Sequence, residues 1–175
     1  GGRGILKKKP TRRGGSGALI QSLPTVQELP FDVHDDAALQ AAVSQADAVI
    51  NLIAQLHGNQ AAMQRTHVAL PRRLAEACRK AGVARLIHVS ALGVDATSLP
   101  SRYLRSKAEG ERLLLEDTAL QVTALRPSVI FGARDRSTNL FASLQRVAPL
   151  MPLACAQARL QPVWVEDVAA AIVAC

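Results

Sequence analysis

Residues 85–127, RLIHVSALGVDATSLPSRYLRSKAEGERLLLEDTALQVTALRP, decide the fold. Arg85-Leu86-Ile87-His88-Val89-Ser90 is a short apolar run ending in a hydroxyl. Val122-Thr123-Ala124-Leu125-Arg126-Pro127 is a second apolar run, closed by proline, and both read as buried strands. Between them Pro100 opens a helix that extends to about Glu116. Strand, helix, strand in that order describes a parallel sheet. Ser90 at the carboxyl end of one strand can then meet Tyr103 and Lys107 of the next helix, in the crevice where open α/β sheets bind ligands.

The helix carries Tyr103-Leu104-Arg105-Ser106-Lys107, a phenol and an ammonium four residues apart and so on one helical face. An unperturbed phenol titrates near 10 and is a poor acid or base at neutral pH; a cation within about 4–6 Å would bring it down. The expectation is therefore that Lys107 depresses the Tyr103 pKa and makes it useful for proton transfer.

Further strands and helices alternate on either side of this unit. TVQELPFDV over 25–33 reads as a strand broken by Pro30 and closing on Asp32-Val33. Asp35 or Asp36 caps a helix through Ala46, and Ala48 to Ile53 is a strand with too few polar positions for a solvent-facing sheet. Met63 to Ala81 forms a long helix stopped by Gly82, with Pro71 predicting a kink or a start near Leu70. Thr138 to Val147 reads as helix, Leu160 to Val165 as extended and Glu166 to Ala174 as helix. This order implies a three-layer α/β, doubly wound parallel sheet.

Composition narrows the functional classes. The chain has 175 residues, 49% of them hydrophobic, and can bury one domain core. The formal charge of +7 looks like a nucleic-acid signal until it is located. Arg3, Lys7, Lys8, Lys9, Arg12 and Arg13 supply six of the 21 basic residues before the first acid at Glu28, leaving 15 against 14 acids in the remainder. With 3% aromatic residues there is also almost no stacking platform for single strands, so nucleic-acid binding is not expected. Cys78, Cys155 and Cys175 lack a CxxC spacing, and His34, His57, His67 and His88 lack ligand spacing with them, so neither a disulfide framework nor a metal site is expected. No apolar run approaches the roughly 18 residues that span a bilayer, and no signal peptide is evident. Trp164 reads as a core residue.

Several segments together resemble the atypical short-chain dehydrogenases/reductases, and within them the proteins related to the NAD(P)-binding accessory subunit of respiratory complex I. They are Asp32-Val33-His34-Asp35, residues 46–53 (ADAVINLI), His88-Val89-Ser90-Ala91-Leu92-Gly93, residues 101–111 (SRYLRSKAEGE) and residues 126–132 (RPSVIFG). The similarity covers roughly residues 10–175. It implies a Rossmann-like fold in which Asp32 and Val33 meet the adenine, Leu52, Ile53 and Ala54 line the cofactor cleft, Lys107 reaches the nicotinamide ribose, and Pro127 and Val129 sit beside the nicotinamide. It further implies Ser90, Tyr103 and Lys107 as the catalytic set, and Arg12 and Arg13 as a clamp on the 2′-phosphate, favouring NADP(H) over NAD(H). The family's Gly-x-x-Gly-x-x-Gly turn, whose amides hold the pyrophosphate, has no match: Gly1-Gly2-Arg3-Gly4 precedes no credible helix, and Gly14-Gly15-Ser16-Gly17 follows the Thr11-Arg12-Arg13 segment.

The expectations are thus a basic Gly-rich loop or divergent N-terminus over 1–17, a Rossmann-like domain over 18–175 incomplete at both ends, and weak dinucleotide binding. Two functions fit the resemblance. One is a cofactor-stabilised structural or regulatory protein of respiratory or quinone metabolism, cytoplasmic or peripheral to the inner membrane, on the matrix side in a mitochondrion, and partnered by a membrane-bound respiratory complex. The other is an active oxidoreductase or sugar-nucleotide epimerase using Ser90, Tyr103 and Lys107. With the family's first strand missing from the middle of the sheet, the chain is expected to be marginally soluble or to self-associate through that gap.

Overall fold

The computed structural model describes residues 31–133 and 161–175, together with Val26 and Leu29. The Gly-rich segment, Arg12, Arg13, most of the strand expected over 25–33 and the helix expected over 138–147 lie outside the described residues.

Three strands, β1 (Ala48–Asn51), β2 (Arg85–Val89) and β3 (Gln121–Leu125), form a parallel sheet in that order. Val49 aligns with Leu86 and Leu86 with Val122, while one residue on, Ile50 aligns with Ile87 and Ile87 with Thr123. Because successive side chains alternate, the first row turns to one face and the second to the other. The Val49/Leu86/Val122 row packs into a core shared with Leu39 and Val43 of α1 (Asp36–Val43), Leu70, Leu74 and Cys78 of α3 (Leu70–Ala81), and Leu114 of α4 (Arg102–Leu115). These helices cover one face of the sheet, α3 and α4 as the crossovers of two successive βαβ units, which makes the described core a Rossmann-like α/β arrangement. A further parallel pair, β4 (Ile130–Phe131) with β5 (Val163–Trp164), leads into α5 (Val165–Ala174).

Boundaries follow local chemistry. Asp35 caps α1 by accepting the N–H groups of Ala37 and Ala38, and the helix ends at Val43 rather than Ala46 because the Ser44 hydroxyl donates back to the Ala41 carbonyl. Phe31 and Asp32 are not strand, a correction to the expected 25–33 segment. The Asp32 carboxylate accepts the His34 N–H at 2.9 Å and its carbonyl accepts the Asp35 N–H, turning the chain directly into α1. Ser101, not Pro100, caps α4, by accepting the Leu104 N–H at 3.1 Å. Strand β4 had no counterpart in the sequence reading, and Trp164, expected in the core, is 37% exposed.

The long helix expected over 63–81 starts earlier and is interrupted. Asn59 caps a short helix, α2 (Gln60–Gln64), which passes through a π-helical turn (Arg65–Ala69) into α3. Pro71 is the cause: it has no N–H for the His67 carbonyl four residues back, and its ring would strike that carbonyl in a regular helix. The displaced His67 carbonyl points at α4, where a Cβ on Gly110 would lie 1.8 Å from its oxygen. Only glycine lets the two helices approach this closely at that point.

Candidate functional site

Helix α4 is unusual in what it buries. Of its buried residues Ser106, Lys107, Gly110, Glu111 and Leu114, three are polar or charged. Buried polar groups must be paired or they cost stability, so their partners define a site.

Lys107 is 1% exposed, and its Nζ donates to the Val89 carbonyl at the end of β2, 2.7 Å away. Burial brings its pKa down from 10.5 to about 8, with the Glu111 carboxylate pulling the other way. Beside it, Ser90 is 4% exposed, and its N–H is tied to the Leu125 carbonyl at 2.7 Å while its hydroxyl has no partner among the described residues. Tyr103 lies half-buried one turn before Lys107, its ring edge-on to the His67 imidazole at 5.3 Å. Burial raises its pKa, and no cation offsets the effect. This corrects the expectation from the four-residue spacing: the ammonium is spent on a backbone carbonyl and does not depress the phenol.

Sequence reasoning did not foresee the network behind these residues. Gln55 donates its N–H to His67 Nε2 at 3.0 Å, so that nitrogen is an acceptor and the proton sits on Nδ1. Nδ1 then donates to Ser106 Oγ at 2.7 Å, and the Ser106 hydroxyl donates to the Tyr103 carbonyl at 2.9 Å. Burial and the Lys107 charge hold His67 neutral, down to about 4. His88 is fixed in the same way. Asn51 accepts the Ile53 N–H on Oδ1, so its amide nitrogen donates to His88 Nδ1 at 3.1 Å, leaving the proton on Nε2; burial and Lys107 bring this ring to about 4 as well. The available signals were a histidine four residues before Pro71 and polar residues at buried helical positions.

The other expected residues sit around the strand ends. Leu52 and Ala54 are exposed just beyond β1 with Ile53 half-buried between them, and Pro127 is half-buried and Val129 exposed beyond β3. The Pro127 carbonyl accepts the Leu92 N–H at 2.9 Å, joining the loops after β2 and β3. Exposed apolar side chains at the ends of β1 and β3, flanking a buried unpartnered hydroxyl at the end of β2, fit a flat, partly apolar ring carrying a hydrogen-bonding group. Asp32 and Val33 are at the turn into α1. Among the described residues no group of three or more His, Cys, Asp or Glu could hold a metal ion, and no helix is long and apolar enough to cross a membrane.

Ser90 and Lys107 thus meet at the carboxyl end of the middle strand of a parallel sheet, the edge at which open α/β sheets bind ligands. A family model described as NAD(P)H-binding matches residues 16–175, and the chain belongs to that family. It is 36% identical over 158 residues to the mouse NADH dehydrogenase [ubiquinone] 1 alpha subcomplex subunit 9, mitochondrial, covering 89% of this chain and 41% of that protein. The Arabidopsis thaliana protein of the same name is 34% identical over 159 residues, covering 89% and 39%. The chain thus spans about two fifths of the length of these relatives. Among solved structures, the Bordetella bronchiseptica enzyme WbmG in complex with NAD superposes with a TM-score of 0.77 at 20% identity, covering 98% of this chain and 60% of that one; the likeness is one of fold.

Proposed function

We propose that this chain is the dinucleotide-binding part of an accessory subunit of the complex I type, in which bound NADP(H) stabilises the fold and turnover is slow or absent. One observation carries the reading: Ser90, Tyr103 and Lys107 are all present, yet the Lys107 ammonium is bound to the Val89 carbonyl and the Tyr103 phenol is pushed up, away from proton transfer at neutral pH. A cleft kept for binding alone would select such a pattern. Ligand bound only to the native state contributes about 3 kcal/mol at a hundredfold excess over its Kd. When bound, the nicotinamide would bring hydride chemistry to the cleft; Ser90 would hold its carboxamide or a substrate oxygen, and the two Lys107 protons not used by Val89 would meet the ribose hydroxyls. The partner we propose is a membrane-bound respiratory complex, with the protein peripheral to that membrane, and Arg12 and Arg13 bias the site toward NADP(H).

The test is a thermal melt against NADPH and NADH. The melting temperature rises with dinucleotide, more for NADPH than for NADH at equal concentration, and Lys107→Met abolishes the rise. No rise at any concentration, or an undiminished rise in Lys107→Met, overturns the proposal.

A further inference from the structure

Glu111 lies one turn beyond Lys107 on the same face of α4, and both are buried, 3% and 1% exposed. A buried carboxylate is costly unless held, and Arg126 holds it: Nε at 2.9 Å and Nη2 at 2.5 Å both donate to Oε1. Arg126 Nη1 reaches on to Asp95 at 2.7 Å, in the loop after β2. The second carboxylate oxygen, Oε2, has no partner among the described residues. Two groups in the same enclosure have protons to give. Lys107 uses one N–H on Val89 and keeps two, and His88 Nε2 carries a proton with no acceptor. His67 also feels the Lys107 charge, but as a neutral group it brings no counter-charge.

We propose that Glu111 is the positioning residue of this site: its free oxygen is the counter-charge that keeps the Lys107 ammonium protonated in its buried seat, while Arg126 and Asp95 hold the carboxylate in place. The consequence rests on the dinucleotide reading, since a charged Lys107 is what would meet the ribose, but the charge relation itself does not. Without Glu111, the titratable neighbours of Lys107 are the neutral His67 and His88, and burial is left to set its protonation.

The experiment follows the ¹³Cε resonance of Lys107 through a pH titration of the whole chain. There are five lysines, so the signal is identified by its loss in Lys107→Arg. In Glu111→Gln the Lys107 midpoint falls by about one pH unit. Glu111→Asp, which keeps the charge, returns it toward the wild-type value. Arg126→Gln, which removes a cation and leaves the carboxylate, moves it in the opposite direction, upward. An unchanged midpoint in Glu111→Gln, equal drops in the Gln and Asp variants, or shifts of the same sign in Glu111→Gln and Arg126→Gln overturn the proposal. If Glu111→Gln does not fold, the Asp and Arg126→Gln arms decide it by the direction of the shift. NADPH affinity at pH 8 falls roughly fivefold in Glu111→Gln, following the lost protonation. If no variant binds dinucleotide, the proposed function fails while the lysine titration still judges this inference.

Discussion

Helices α3 and α4 lie side by side on one face of the same sheet and bury opposite chemistry. α3 buries Leu70, Pro71, Leu74, Ala75, Ala77 and Cys78; α4 buries Ser106, Lys107, Glu111 and, for close approach, Gly110, with Leu114 alone as a large apolar residue. The α3 face contributes stability through area removed from water, without direction. On the α4 face, burial is tolerated only through specific hydrogen bonds, and those bonds fix where functional groups point. The two helices therefore differ in how stability responds to pH and to truncation.

The largest expected effect is acid destabilisation, and it belongs to the α4 side. His67 and His88 are both held down to about 4 from 6.5, chiefly by burial. Between these values the unfolded chain binds protons that the folded chain does not. Stability is therefore lost as pH falls from about 6.5 to 4, by on the order of 5 kcal/mol for the two rings together. Urea melts at intervals across this range measure it, and a His67→Gln variant that folds removes about half of the dependence. A flat profile would mean that the rings are solvated and the α4 enclosure is open.

On the α3 side, Leu70→Ala deletes a side chain that is 1% exposed in the apolar core, at a cost of about 3 kcal/mol. The distinguishing measurement is that this loss is the same at pH 5 and pH 8, because the core cluster around Leu70 holds no group that titrates between those values. Cys78, the ionisable group on that face, is pushed up by burial to about 11 and stays neutral throughout. A Leu70→Ala cost that varies with pH would show that the two faces are coupled through the His67 turn.

The same contrast explains what could be read in advance. The strands around Val49, Leu86 and Val122 and their parallel order were legible because fully buried strands leave continuous apolar runs, and hydrophobic periodicity marks helix faces. Ser90, Tyr103 and Lys107 were legible as a spacing and as a family pattern. The use of Lys107 was not, because whether an ammonium meets a phenol or the Val89 carbonyl depends on side-chain direction and burial rather than on sequence separation. The His67, Ser106 and Gln55 chain was hidden for a further reason. It depends on the π-helical turn that Pro71 forces, which moves His67 relative to α4 and which a regular 3.6-residue period does not foresee.

The smallest effect expected tests that chain at its middle. Ser106→Ala removes the acceptor of His67 Nδ1 and the donor to the Tyr103 carbonyl while leaving the helix backbone and its Ser101 cap intact. Alanine is also the better helix former, by a few tenths of a kcal/mol, so the net loss is the cost of an unsatisfied buried N–H less that gain, about 1 kcal/mol at pH 7. The sign of the imidazole's response is informative. With its Ser106 partner gone, Nδ1–H no longer anchors the ring, so the ring gains freedom to turn, its edge-on contact with Tyr103 loosens, and the Gln55 N–H loses a fixed acceptor. Hydrogen exchange at Gln55 should therefore quicken well beyond what a 1 kcal/mol global loss allows, while exchange in β2 changes only by that global amount. Equal changes at Gln55 and β2 would mean that Ser106 contributes stability without holding the loop after β1 against the cleft.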